Sequence, residues 1–420
     1  MRPYPFILGL ILMLSGATDS LRRVSVGPLT LQGVMTIILG VGTLGLVLAK
    51  GKLPKFAWTT IPLVIFLVVG AMSCYINLPI SQIPFKDQTQ GLLVYALFVG
   101  TLLLSAGEAY RSPVEPPWYL SQGFTRSAQL SMALYGFGIL TEGPGSSGVM
   151  GPRSFAIYAI VAAGWLLASA KHKAFAGAGW MAVALTALVA FSFSRTATVI
   201  CLLLYPLSQI SPRDSKSWLR VGATMGLIGL IAYLTFTYVE PIRNRFTDVG
   251  DSGSIGAVKV NTSGRDRIWE SVGISAAESP LVGKGPGSVA IPVIKANQSA
   301  NGHPHNDYLR LLHDFGWIGL GLWLASYGAV LVQAWNNWSW AERFDPVSAH
   351  VHEGAVLGLL AVAFMMVTDN VVVYQFAMAP LGILVGASIG LGQARRKLVR
   401  QMRPLEWMET LPEDVSLDLS

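Results

Sequence analysis

The sequence predicts an all-α, polytopic membrane helix bundle of about 12 transmembrane helices, with one large outer loop between helices 9 and 10. Three observations lead there. The 420 residues are 52% hydrophobic and only 13% charged, with a mean hydropathy of +0.51, which excludes an ordinary soluble domain. Apolar runs close to the roughly 20 residues that a bilayer core requires recur along the chain, separated by short polar or basic breaks. A backbone in lipid must satisfy its own hydrogen bonds, so these runs are expected as helices. The net charge of +7 would suggest a polyanion partner in a soluble protein. Here the basic residues gather between spans, topology explains them, and no nucleic acid is expected.

Taken in order, Met1 to Thr18 reads as a first span and equally as a signal peptide, either of which leaves residue 20 outside. Further spans are expected at Pro28 to Ala49, Phe56 to Ile76, Gln90 to Ala106, Thr125 to Leu140, Ser154 to Ala170, Phe175 to Phe193, Thr196 to Ile210 and Leu219 to Tyr238, and then at Gly316 to Trp335, Val351 to Thr368 and Phe376 to Gly392. The inner connections then hold Lys50, Lys52, Lys55, Arg111, Arg126, Lys171, Lys173, Arg213, Lys216 and Arg220, and the tail adds Arg395, Arg396, Lys397, Arg400 and Arg403. Short outer connections hold only Arg22, Arg23, Lys86, Arg153 and Arg195, so both termini are expected in the cytoplasm. The chain divides into spans 1–9 over residues 1–238, a large loop over 239–315, spans 10–12 over 316–392 and a tail over 393–420. Within the loop, Asp248 to Thr262 is rich in Gly, Ser and Asp, Ser263 to Trp269 reads as a helix start, and Ala277 to Ser288 is a glycine and proline turn region. Cys74 and Cys201 fall in apolar runs and read as small core residues.

Chemistry concentrates in Asn301 to Gly319, where a polar loop carrying His303, His305, Asn306 and Asp307 runs into an apolar helical pattern. A histidine near neutral pKa can take a proton from a hydroxyl; the bland reading of His305 is a helix cap. His303 and His305 could present two zinc ligands, but no third stands at a persuasive spacing, so no metal is expected. Arg195 sits at a hairpin between two apolar runs, where a cation costs free energy unless it meets water, a partner or an anion. Arg265 and Trp269 share one helix face, while Arg267 points elsewhere. Asp369 and Asn370 interrupt the eleventh run, and Asp369 is a functional candidate or the partner of an arginine such as Arg195. His313 and Asp314 read as interfacial polar residues. The absence of a Walker A loop, of G-x-G-x-x-G, of H-E-x-x-H and of a D-x-D pair argues against ATP hydrolysis and metal-dependent nucleotide-sugar transfer.

His305-Asn306 followed after nine residues by Gly316-x-x-Gly319, Gly264-Arg265-x-x-x-Trp269 upstream and Ser194-Arg195 at a hairpin together resemble the O-antigen ligase and polymerase family of bacterial surface-glycan enzymes. The resemblance spans about Phe175 to Ile389. It implies a metal-independent, inverting glycosyltransferase without cofactor in the bacterial inner membrane, with its site on the periplasmic face. The donor would be a glycan on a polyprenyl diphosphate, and the acceptor a glycan hydroxyl or the lipid A core. Other polysaccharide-export components would be further partners in the bilayer. In that frame His305 is the base, and Arg195 and Arg265 hold the diphosphate as the remaining catalytic residues. Arg267, Trp269, Asn306, Asp369 and His303 contact substrate. The modest loop and the absence of an acceptor signature favour repeat-unit polymerisation over ligation. A secondary transporter is the reading from another class, but the charges gather on one face and no halves repeat. A purely structural assembly partner is a third.

Overall fold

The computed structural model describes residues 3–26, 29–49, 58–77, 83–146, 148–238, 240, 252–255, 258–261, 264–297 and 302–409. Every expected apolar run coincides with a helix: α1 Pro3–Ser15, α2 Leu31–Ala49, α3 Ile61–Asn77, α4 Phe85–Arg111, α5 Glu115–Glu142, α6 Pro152–Lys171, α7 Ala178–Phe191, α8 Arg195–Ser208 and α9 Ser217–Tyr238, followed in the loop by α10 Arg265–Ala277 and α11 Ala290–Ala296, and then by α12 Asp307–Phe344, α13 Ala349–Met365 and α14 Gln375–Glu409. Among the described residues seven helices are long and apolar enough to cross a membrane, and α1, α3, α7 and α8 are shorter apolar helices. The chain is thus a polytopic helical membrane protein. Two short antiparallel pairs interrupt the helices: β1 Ser25–Val26 with β2 Leu29–Thr30, and β3 Ser252–Ile255 with β4 Val258–Asn261. Of the Gly, Ser and Asp-rich stretch, 248–251, 256–257 and 262 lie outside the described residues, as do Lys50, Lys52, Lys55 and the tail from 410.

Hydropathy under-reads several helices. Helix α4 reaches Arg111 and α5 begins at Glu115, so Arg126, expected in a connection, lies inside α5. The basic residues after Gly392 continue α14 as helix rather than leaving it as a tail.

Close packing of the bundle depends on small residues, as expected where lipid supplies no hydrophobic drive between helices. On α14, Gly382, Gly386 and Gly390 repeat every four residues and lie on α4; a Cβ at Gly386 would overlap the carbonyl of Leu102. Ser105 on α4 donates to the Ile383 carbonyl at 2.7 Å across the same seam. Helix α1 is built into this bundle: Leu8 and Leu12 are buried, and the Gly16 amide donates to Ser127 Oγ at 2.9 Å. Just beyond it, Asp19 accepts from the Gly151 amide and from Ser154 Oγ, both at 2.8 Å, capping the N-terminus of α6 with a carboxylate where the helix dipole favours one.

Helix α12 breaks at Gly316 (φ 65°, ψ −170°). The break frees backbone groups, and the turn before α11 takes them up. The amides of Lys284 and Gly285 donate to the carbonyls of His313 and Asp314 at 3.0 and 2.9 Å, while the amides of Trp317 and Ile318 donate to the carbonyls of Pro280 and Leu281 at 2.8 and 3.2 Å. A ring cluster of Phe66, Tyr95, Phe315 and Trp323 fills the space beneath. His313 and Asp314, expected as interfacial, are instead buried. Asp314 accepts from the amides of Gly287 (2.9 Å) and Val289 (3.0 Å) and fixes the turn.

Candidate active site

At one end of the bundle, three arginines each stand in the first turn of a helix. Arg153 is the second residue of α6, Arg195 the first of α8 and Arg265 the first of α10. Unpaired amides and the macrodipole make each of these helix starts partly positive. All three helix starts meet the segment that joins α13 to α14. Arg265 Nη1 donates to the Thr368 carbonyl at 2.7 Å. Thr196, next to Arg195, shares a hydrogen bond of 2.8 Å between its hydroxyl and that of Thr368. Arg153 forms an ion pair with Asp369, so this carboxylate does pair with an arginine at a helix start.

The histidine loop is sewn to the same segment. The His305 amide donates to Asn370 Oδ1 at 2.9 Å, the Asp307 amide to the Met366 carbonyl at 2.8 Å, and the Val372 amide to Asp307 Oδ2 at 2.9 Å. Buried Arg310 donates to His303 Nδ1 at 3.0 Å, to Asn370 Oδ1 at 3.3 Å and to Asp307 at 3.3 Å. Held from these sides, His305 adopts φ +54°, a left-handed conformation uncommon for a side-chain-bearing residue and typical of functional positions. Its Nδ1 lies 2.6 Å from Arg153 Nη2 and 3.8 Å from Asp369 Oδ1.

His305, Arg153 and Asp369 therefore come together beside Arg265, Arg195 stands close enough to act on the Arg265 guanidinium, and His303 is joined to the group through Arg310. Two other candidates, Asn306 and Trp269, hold the backbone, and a third, Arg267, stands outside the cluster. Asn306, expected at the substrate, is the N-cap of α12, its side-chain oxygen accepting from the Leu309 amide at 3.0 Å; this also removes the capping alternative for His305. Trp269, expected to contact substrate, gives its indole N–H to the Pro304 carbonyl at 2.8 Å. Arg267 is exposed and two residues from Arg265, so it faces away from the cluster. Among the described residues no group of three or more His, Cys, Asp or Glu could hold a metal ion, and the Nδ1 atoms of His303 and His305 each face a guanidinium.

Sequence reasoning missed Arg153, Arg310 and Asn370. For Arg153 a signal existed: it opens an apolar run from a Gly-Pro turn, the same placement that singled out Arg195.

The electrostatics favour an anion. Arg265 feels two further guanidinium groups, Arg153 and Arg195, against one carboxylate, Asp369, while Asp307 is engaged by Arg310. Burial pulls Arg265 below its usual range; Asp369 opposes this, while Arg153 and Arg195 add to it. Burial chiefly, with Arg153 and Arg265 adding and Asp369 opposing, also lowers His305. His303 is pushed down to about 3 by burial and by Arg310. Burial would raise Asp369, yet its interactions with His305 and Arg153 hold it below the ordinary carboxylate value. At neutral pH the site thus combines neutral imidazoles, an ionised carboxylate and surplus positive charge.

No curated protein matches the chain. Residues 180–324 match the O-antigen ligase family. That stretch contains Arg195, Arg265 and His305, while Arg153 and Asp369 reach the cluster from outside it. The match covers about a third of the chain and bears out the resemblance to that family seen in the sequence.

Proposed function

We propose that the protein is an inverting, metal-independent glycosyltransferase of the bacterial inner membrane, both termini cytoplasmic, working at the periplasmic face on a glycan carried by a polyprenyl diphosphate. The observation that carries this reading is the meeting of three arginine-bearing helix starts, those of Arg195, Arg265 and Arg153, with His305 around Thr368–Asn370. In the reaction the acceptor oxygen bonds to the anomeric carbon as the bond from that carbon to the diphosphate oxygen breaks. The leaving diphosphate keeps the electron pair and gains charge, which guanidinium groups and helix N-termini stabilise without a metal. The hydroxyl proton passes to the neutral imidazole of His305. Placement at the end of a helix bundle lets a lipid enter from the bilayer and a sugar from water.

Repeat-unit polymerisation is the favoured form, because the loop between α9 and α12, though longer than the other connections, is modest for recognising an elaborate acceptor; transfer to the lipid A core is the alternative. The test incubates purified protein and chelator with a polyprenyl-diphosphate-linked repeat unit, with and without lipid A core, and separates products by size. A ladder without core, absent in His305→Ala, supports the polymerase. A single transfer that requires core identifies a ligase. Full activity of folded His305→Ala would remove the base assignment.

A further inference from the structure

Arg153 stands where a third diphosphate anchor would be unremarkable, but its contacts are to the base itself. A neutral imidazole has one N–H and one lone pair, and a guanidinium can only donate. With Arg153 Nη2 at 2.6 Å, Nδ1 of His305 is the acceptor, so the ring proton resides on Nε2. Asn370 Nδ2, at 3.3 Å, is a second, longer donor to the same Nδ1. The Asn370 amide is oriented by the donors on its oxygen, the His305 amide and Arg310. A histidine that accepts a proton at Nε2 needs the opposite tautomer, with Nδ1–H held by an acceptor. Asp369 Oδ1, at 3.8 Å, is the acceptor in reach, and the same Nη2 atom of Arg153 is paired with it. One nitrogen of Arg153 thus blocks both sides of the His305–Asp369 contact.

Resting on the reading of His305 as base, we propose that Arg153 is a latch on His305 that the donor diphosphate releases. The Arg153 side chain is 36% exposed against 7% for Asp369, and it stands close enough to Arg265, as Arg195 does, to push that guanidinium down. A diphosphate seated on Arg195 and Arg265 offers charged oxygens, better partners for a guanidinium than a neutral ring nitrogen. When Arg153 swings to it, Asp369 takes Nδ1–H. The ring loses a proton from Nε2 to water and gains one at Nδ1, with no net change in charge, and the Nε2 lone pair becomes available to the acceptor hydroxyl. The base is armed only with donor in place, which imposes an order: donor first, acceptor second. Arg153 acts through His305 and is a positioning residue.

The experiment is ring-¹⁵N NMR of histidine-labelled protein in lipid nanodiscs, the His305 signals being those lost in His305→Asn, recorded before and after addition of undecaprenyl diphosphate, whose binding is measured on the same sample. Nδ1 should be unprotonated before the lipid and protonated once it binds, and Arg153→Gln should show protonated Nδ1 throughout. Protonated Nδ1 before lipid, or no change on binding, overturns the latch. Should Arg153→Gln fail to fold, the lipid titration of the unaltered protein decides alone. If His305→Ala is inactive while the tautomer ignores the lipid, only the latch falls. If His305→Ala stays active, or the lipid does not bind, the functional reading falls and the latch with it.

Discussion

The indole N–H of Trp269 donates to the carbonyl of Pro304 at 2.8 Å, one residue before His305. Helix α10 thereby carries Arg265 and, one turn later on the same face, the brace of the histidine loop. Trp269→Phe keeps most of the packing on Ile268, Val272 and Val293 but deletes this bond. A net hydrogen bond is worth about 1 kcal/mol, and the left-handed φ of His305 depends on its restraints. Turnover should fall roughly 5- to 10-fold while the donor KM changes little. A donor KM that rose with unchanged kcat would show that Trp269 contacts substrate instead.

Arg195 and Arg265 begin different helices whose first turns meet the same residue, Thr368, α8 through Thr196 and α10 through the Arg265 guanidinium. If both grip one diphosphate, single Ala substitutions should each weaken donor affinity by about 10- to 100-fold, the worth of a charge-assisted bond, and the double variant should be less than additive, as for groups sharing a ligand. Arg265→Lys should recover little, since Lys lacks the planar fork. Titration of purified variants with a polyprenyl diphosphate checks this.

Much of this site was legible because chemistry stands out against a hydrophobic background. Arg195 and Asp369 each break an apolar run where a charge needs a reason, and Arg265 and His305 open helical patterns in the one long loop. What sequence could not give is which arginine meets Asp369: Arg153 is 216 positions away, and the pairing is set by the Asp19 cap that aims the start of α6. The same limit explains Asn306 and Trp269, polar or aromatic residues beside the base whose hydrogen-bonding groups turn out to serve the backbone. The helices were readable as apolar runs, but their ends were not, because α4 and α5 continue with polar residues once they pass the apolar stretch. The break at Gly316, which buries His313 and Asp314, leaves no mark beyond a glycine.

The pH profile follows from the lowered pKa of His305. A base must be deprotonated, so kcat/KM should rise with pH and reach its plateau below the ordinary histidine value of about 6.5. Asp369 favours the charged imidazole, so Asp369→Asn should move the acid limb to still lower pH while also lowering the plateau through lost orientation. Loss of Arg153, which opposes the charge, should move the limb up. Both shifts are read from kcat/KM between pH 4.5 and 8; an acid limb at or above 6.5 in the unaltered protein would assign it to another group.

Gly316 combines a positive φ with the carbonyl of Leu281 where a Cβ would stand. Gly316→Ala must either strain the backbone or push the turn 280–285 away from α12, breaking the four hydrogen bonds that close the kink. The expected loss is about 3 kcal/mol or more, seen as a lower midpoint of unfolding in detergent. Because Asp314 and His313 fasten that turn, proteolysis within 278–289 should accelerate well before global unfolding.

At the other end of α13, buried Glu353 accepts from Lys171 Nζ at 3.0 Å and pairs with His172 Nε2 at 2.6 Å. This cluster sits on the helix that leads into the segment at the candidate site but shares none of its contacts, which makes it a control for global effects. Removing one member of a buried pair leaves an uncompensated charge, typically costing about 3–5 kcal/mol, so Glu353→Ala should lower yield and thermal stability sharply. The transfer rate of the fraction that folds should stay within about twofold of the unaltered protein. Lys171→Met combined with Glu353→Met removes both charges at once and should recover most of the stability, as replacing an entire buried ion pair by apolar residues often does. A transfer rate that fell in step with stability in these variants would mean that α13 couples its two ends, and that the segment around Asp369 is held by more than its local hydrogen bonds.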